Sequence, residues 1–356
     1  SATAAQTPGA DIIAPAPPSD MAEEPVENTI DPPLSETDGE AEPVRDESAE
    51  STDEGSEIEH PSEAPSEPDD TPETEAAETV AAAIDAGVVR DLSKVWDAST
   101  VEMSGKRIRD LHPHGEAMNV PQALVYSSNT VTARVADELG AAQLRKVMVD
   151  LGMNARPQIE LYARGNPRWL DGRWSRLDTM TIGYGHTVAV TPLHLANAYA
   201  AMVNGGIWRP ATLQKLDPTE VPRGQRVFKA STSSRMRQLL RMISLYGTGR
   251  SANAPGYRVG GKTGSAEKPG KSGYNQRLIV SNFAAAFPME RPRYVVVVVI
   301  DEPRGTLASS FQRTAAFTAA PVVGALVPRI GPMLGVRPDA NRDIDISDLR
   351  YLVEGR

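Results

Sequence analysis

The sequence predicts an α+β domain, an antiparallel sheet flanked by helices, preceded by a disordered acidic tail. Three observations carry this. Residues 1 to 78 hold 24 Asp and Glu against one Arg, so the net charge of −10 divides into about −23 there and +13 over the rest. Segments with apolar residues at helical spacing then cluster before and after two consecutive strand-like runs, the pattern of a sheet covered by helices. The second run, Arg293 to Ile300, contains five consecutive valines, too short to cross a membrane and too β-branched for a helix.

Residues 1 to 70 are rich in Pro, Glu, Asp, Ser and Thr and have little apolar surface to offset the entropy of ordering. They read as a disordered linker-like tail, residues 71–336 as the folded domain, and residues 337–356 as a C-terminal tail. Cysteine is absent, which excludes disulfides and thiolate metal sites. No window of 18 or more residues is apolar throughout, and the first residues lack a basic segment followed by an apolar one.

The first predicted helix opens at Thr71-Pro72-Glu73, a cap, a proline at the first helical position and an early acid, runs through Thr79-Val-Ala-Ala-Ala-Ile-Asp85 and stops at Gly87. A short helix over 119–127 has Asn119 as its cap and Pro121 in its first turn. A further helix over 131–139 repeats apolar Val131, Val135 and Leu139 before Gly140. Helical spacing recurs over Thr191 to Val203 and over Ser233 to Leu245. Leu278 to Phe287 and Arg293 to Ile300 follow as strands, the latter expected in the buried centre of the sheet, and Thr314 to Leu326 as a closing helix. His112-Pro-His114 lacks a third ligand at workable spacing and reads as a structural loop.

The stretch with most chemistry is Tyr257-Arg-Val-Gly-Gly-Lys262-Thr263-Gly264-Ser265-Ala266-Glu267-Lys268. Small residues beside a lysine and two hydroxyls let a ligand approach the backbone next to a fixed positive charge, an anion site in outline. One reading is a phosphate loop, because Gly256 with Gly261-Lys262-Thr263 fits G-x-x-x-x-G-K-[ST] and Val295 to Asp301 imitates a magnesium-binding strand. That reading needs a strand before the loop and a helix after it, whereas turn residues precede the loop and Pro269-Gly270 follows. The other takes Lys-Thr-Gly as an edge-strand motif for a carboxylate, paired with a Ser-x-Asn element at Ser127-Ser128-Asn129.

Those two motifs, with Ile108-Arg-Asp-Leu-His-Pro-His-Gly115, Ile182-Gly-Tyr-Gly185, Val190-Thr-Pro-Leu193 and Ala201-Met-Val-Asn-Gly-Gly206, occur in one order over Thr79 to Val336. The chain thereby resembles the class B penicillin-binding proteins, in particular the cell-division peptidoglycan D,D-transpeptidases. The resemblance implies the penicillin-binding protein and serine β-lactamase type of fold, and cross-linking of stem peptides by acyl transfer from D-Ala-D-Ala. It also implies that Ser127 relays the proton, Lys262 supplies positive potential, and Asn129 hydrogen-bonds the substrate's acyl-side amide. Thr263, Gly264 and Ser265 would bind the terminal carboxylate, with the Ser265 N–H as one oxyanion donor. No metal or cofactor belongs to this chemistry. Stem peptides, β-lactams and membrane proteins of the division machinery are the implied partners, and the periplasm the implied location, the parent protein being anchored to the inner membrane.

One part of the family pattern is missing. Ser-x-x-Lys, which supplies nucleophile and base, falls in register on Glu73-Thr74-Glu75-Ala76, and the copy found at Ser265-Ala-Glu-Lys268 sits on a predicted strand, where i and i+3 point to opposite faces. Three explanations stand. The chain is a C-terminal piece or altered product of a transpeptidase, it is a pseudo-transpeptidase that acts as a scaffold in the division machinery, or, as the least favoured reading, it is a nucleotide-binding protein.

Overall fold

The computed structural model describes residues 76–270 and 273–354, which lie in one compact unit. The stretch read as a disordered tail, and the capping residues Thr71 to Glu75, fall outside the described residues. Helix α1 (Ala76–Asp85) carries five alanines and buries its first eight residues, its small side chains allowing close packing on all sides. Strand β1 (Val95–Asp97) comes next, then the hairpin of β2 (Val101–Met103) and β3 (Lys106–Ile108), closed by Ser104 and Gly105 at φ 50° and 73°. Positive φ at both turn positions matches the right-handed strand twist and favours glycine at the second. Strand β4 (Ala117–Asn119) pairs antiparallel with β1.

Helices α2 (Val120–Tyr126), α3 (Asn129–Leu139) and α4 (Ala141–Asp150) follow in close succession, then α5 (Arg176–Gly183) and α6 (Pro192–Val203). Their starts are written locally. Asn119, Ser175 and Thr191 each accept a backbone N–H from the third helical residue, whose side chain reaches back to the cap. The small β5 (Ile207–Trp208) and β6 (Gln225–Arg226) pair precedes the long helix α7 (Ala230–Tyr246).

The main sheet is antiparallel in the order β7 (Gly260–Gly270), β8 (Gly273–Phe287), β9 (Tyr294–Asp301). Strand alternation divides β8 between two cores: Ala284 and Ala286 face the helices α1, α2, α6 and α7, while Phe283, Ala285 and Phe287 face α8 (Ala319–Ile330). The predicted sheet between helices is thus the observed one. Three boundaries within it differ from expectation. The Val295 to Ile300 run is the edge strand β9, while β8 is central. Val295 and Val297 pack half-buried against the larger core and Val296 and Val298 against the α8 side, while Val299 is exposed, and that contact on both faces, not a second strand neighbour, suits an apolar β-branched run. The closing helix starts at Ala319 instead of Thr314, which leaves Pro321 in the first turn where its missing N–H costs no hydrogen bond.

The third difference is at the C-terminus. Of residues 337–356, expected as a tail, the described ones, 337–354, instead return to the domain and form α9 (Ser347–Glu354), whose Leu349, Leu352 and Val353 enter the larger core. Arg241 of α7, 5% exposed, holds this segment through Asp343 at 2.6 Å while its other nitrogen donates to Asn253 Oδ1 and the Val259 carbonyl at 2.8 Å each. Asn119 Nδ2 donates to the Leu352 carbonyl at 3.0 Å, so α9 also meets the start of α2.

Candidate functional site

Ser127-Ser128-Asn129 is the junction of two helices. Ser127 closes α2 in the left-handed region, φ 59° and ψ 51°, Ser128 caps α3 by accepting the Val131 N–H, and Asn129 is the first residue of α3. A left-handed serine is sparsely populated and strained by about 1 kcal/mol or more. Asp110 holds the junction in place: Oδ1 accepts the Thr130 N–H at 2.8 Å, and Oδ2 accepts the Ser128 hydroxyl at 2.7 Å and the Thr130 hydroxyl at 3.2 Å. A carboxylate at a helix N-terminus is favoured by the helix dipole as well.

Lys262 approaches from β7, 135 residues along the chain, and its Nζ donates to Ser127 Oγ at 2.6 Å and to the Thr263 carbonyl at 2.8 Å. The lysine is 1% exposed, so its charge acts in a poorly screened environment. Gly260 and Gly261 allow this placement. A Cβ on Gly261 would lie 2.4 Å from the Ala284 carbonyl oxygen, and one on Gly260 2.9 Å from the Arg241 nitrogen, so β7 packs backbone to backbone on β8 and α7. Thr263 shares a 2.8 Å hydrogen bond with the Thr248 hydroxyl, and Ser265 Oγ accepts the Ala315 N–H at 3.0 Å. Gly264 stands opposite Asn282 of β8.

The structure therefore brings Ser127 and Lys262 together, and it places Asn129 and Ser265 on one open cleft of about 690 Å³, with Tyr184, His186 and Arg109. Ser127, Lys262, Thr263 and Gly264 are not among the residues that line that cleft, and Thr263 is turned to Thr248. Lys262 lies within a strand that pairs directly with the next strand, and no helix follows it, which removes the phosphate-loop reading. The Ser265-x-x-Lys268 match is no nucleophile and base pair, since Lys268 Nζ is bound to Asp301 at 2.6 Å and Glu302 at 3.1 Å. His114 stacks on Tyr126 with ring centroids 4.3 Å apart, a packing role at the end of α2. Of the segment in register with the missing Ser-x-x-Lys, Ala76 alone is described, buried at the start of α1.

Asp110 and Thr248 were not foreseen from the sequence. Asp110 stands 20 residues before its partner Thr130 in a polar loop, and nothing local distinguishes it from a solvated acid. Its chemical effect is indirect: it fixes the turn that carries Ser127 and Asn129.

Compared with known proteins, residues 78–323 match the penicillin binding protein transpeptidase domain. A probable peptidoglycan D,D-transpeptidase FtsI of Caulobacter vibrioides is 35% identical over 268 residues, covering 73% of this chain and 45% of the relative. The peptidoglycan D,D-transpeptidase FtsI of Escherichia coli K12 is 30% identical over 263 residues, covering 73% and 43%. The chain thus spans under half the length of these relatives. The apo transpeptidase domain of Burkholderia pseudomallei penicillin-binding protein 3 superposes with a TM-score of 0.70 at 27% identity, over 77% of this chain and 82% of that one. With the Ser-x-Asn turn, the Lys-Thr-Gly strand and this collinear match, the chain belongs to the penicillin binding protein transpeptidase domain family.

Proposed function

We propose that this domain receives the D-Ala-D-Ala end of a peptidoglycan stem peptide, in the manner of a septal D,D-transpeptidase that cross-links stem peptides during cell division. The observation that carries the reading is the 2.6 Å contact between Lys262 Nζ and Ser127 Oγ, two residues remote in sequence and held together in a left-handed turn against a glycine-flanked strand. In transpeptidation a serine attacks the amide carbonyl carbon, the D-Ala amine leaves with a proton, and an amine of a second peptide then takes the acyl group. Ser127, hydrogen-bonded to Lys262, is placed to pass the proton to the leaving amine. Asn129 would hold the acyl-side amide, Ser265 the terminal carboxylate, joined by Thr263 once its hydroxyl turns from Thr248, and the N–H of Ser265 the oxyanion. Stem peptides, β-lactams and division-machinery membrane proteins are the partners of this reading, and the periplasm its setting. Among the described residues no helix is long and apolar enough to cross a membrane.

The sequence has Glu73 and Ala76 where this chemistry needs a serine and its amine, so the domain as it stands binds without being acylated. Calorimetric titration with a peptide ending in D-Ala-D-Ala, with intact-mass analysis after incubation with a penicillin, tests both halves. Measurable binding that falls at least about tenfold in Lys262→Met, with the variant's thermal unfolding still cooperative, is expected. Binding indifferent to Lys262 sinks the proposal. A stoichiometric penicillin adduct on any serine would overturn the claim that no acylation occurs.

A further inference from the structure

Among the described residues β9 pairs with β8 on one side and with no strand on the other. Backbone alternation decides what that open side presents. The Glu302 N–H donates to the Ile279 carbonyl at 2.9 Å, in step with the register that sets Asp301 opposite Val280, so Ile300, Val298 and Val296 exchange hydrogen bonds with β8. Val295, Val297 and Val299 therefore aim their N–H and C=O groups away from the sheet. In β8 the run Phe283 to Phe287 is fully buried, whereas every residue from Tyr294 to Asp301 keeps some exposure and Val299 reaches 36%. Proteins blunt such edges with charges, bulges or short length, because unpaired strand groups recruit other chains. The opposite edge strand, β7, has Lys262 and Lys268 and a register shift between Glu267 and Lys268. Strand β9 has eight residues in unbroken register, with no charge between Arg293 and Asp301.

We propose that the open edge of β9 docks β9 of a second copy of this chain, joining two three-stranded sheets into one antiparallel sheet. The inference does not depend on the function proposed above. Outward-facing groups can bond only to outward-facing groups, and a two-fold axis at Val297 satisfies this for all three valines. Val297 then meets the partner's Val297, and Val295 the partner's Val299. The same register sets Arg293 opposite the partner's Asp301 and Asp301 opposite the partner's Arg293, so unlike charges close both ends of the run. Both side chains are exposed, and each is steadied beside its strand, Arg293 by donating to the Gly335 carbonyl at 3.0 Å and Asp301 by Lys268 at 2.6 Å.

The test is sedimentation of the full chain from about 1 to 100 µM, a range suited to a small interface. A monomer–dimer equilibrium is expected. Arg293→Glu, which sets two acids together at each end, should raise the dissociation constant at least about tenfold, and Arg293→Glu/Asp301→Arg should bring it back to within about threefold of the parent. Because the chain has no cysteine, Val297→Cys carries one thiol, which faces its own copy with Cα atoms about 5.5 Å apart, within disulfide reach. In Val299→Cys the two thiols are four residues out of step, about 13 Å along the strand. Mild oxidation should link Val297→Cys into covalent dimers and leave Val299→Cys unlinked. Monomers throughout at about 100 µM would overturn the proposal, with the edge left to residues 1–75 or to a strand of another protein. Linkage through both cysteines alike or through neither, or a dimer indifferent to Arg293→Glu, would also overturn it. Should the charge variants fail to unfold cooperatively, the pair of cysteine variants decides by itself.

Discussion

Asp110→Ala should loosen the turn on which the site depends. The carboxylate accepts the Ser128 hydroxyl at 2.7 Å and the Thr130 N–H at 2.8 Å, and at 3.2 Å it competes with the Ala98 carbonyl for the one Thr130 hydroxyl proton; Ser128 and Thr130 are 2% and 1% exposed. The losses are unequal. The Thr130 hydroxyl keeps the Ala98 carbonyl at 3.1 Å, whereas the Thr130 N–H, in the first turn of α3, loses the acceptor it has. Bonds to a charged acceptor contribute about 1.5–3 kcal/mol each when buried, and capping residues about 1. Because Asp110 is itself half-buried, we take about 2–3 kcal/mol for the whole set, which lowers the midpoint of thermal unfolding by about 4–10 °C in a domain of this size. Asp110→Asn keeps an acceptor of the same shape and should lose about half as much. Circular dichroism melts and urea unfolding supply the numbers, and D-Ala-D-Ala peptide titration should show weaker binding in the Ala variant through displaced Asn129. A melting midpoint within about 1 °C of the unaltered protein would show that Ser128 alone fixes the junction, and the clamp argument would fail.

Two other outcomes follow from buried polar groups. His194 is 2% exposed, its Nδ1 accepting the Thr191 N–H at 3.0 Å and its Nε2–H donating to the Ala155 carbonyl at 2.8 Å, and burial holds its pKa below the ordinary 6.5 despite the bond to Ala155. The unfolded chain therefore binds a proton first: stability is full above about pH 6.5 and declines as pH falls toward 5, and His194→Gln, which can retain the capping box, should flatten that slope in urea titrations at each pH. Carboxylates held low by hydrogen bonds, such as Asp91 and Asp97, act below about pH 4 and leave this window clear, so equal slopes would discount the histidine. Arg241→Met should cost on the order of 2–3 kcal/mol by freeing the 340–354 segment from α7, read as a lower urea midpoint together with faster amide exchange in α9; protection in α9 equal to the parent's would show that its apolar contacts suffice.

What the sequence determined by itself is what local chemistry controls. Asn119 with Gln122, Thr191 with His194 and the Ser128 cap satisfy helix N-terminal donors from within three residues, so helix positions near the site were legible to within a residue or two. The runs Leu278 to Phe287 and Arg293 to Ile300 were likewise legible as consecutive strands of one sheet. Tertiary structure decided everything that depends on distant partners. The place of β9 at the sheet edge was invisible because a valine run records coverage of its faces and not its number of strand neighbours. The return of α9 to the core, the choice of Asp110 as the clamp, and the contact of Lys262 with Ser127 join residues 18 to 233 positions apart. Such pairings arise from packing whole elements against each other, and no short window of sequence contains both partners.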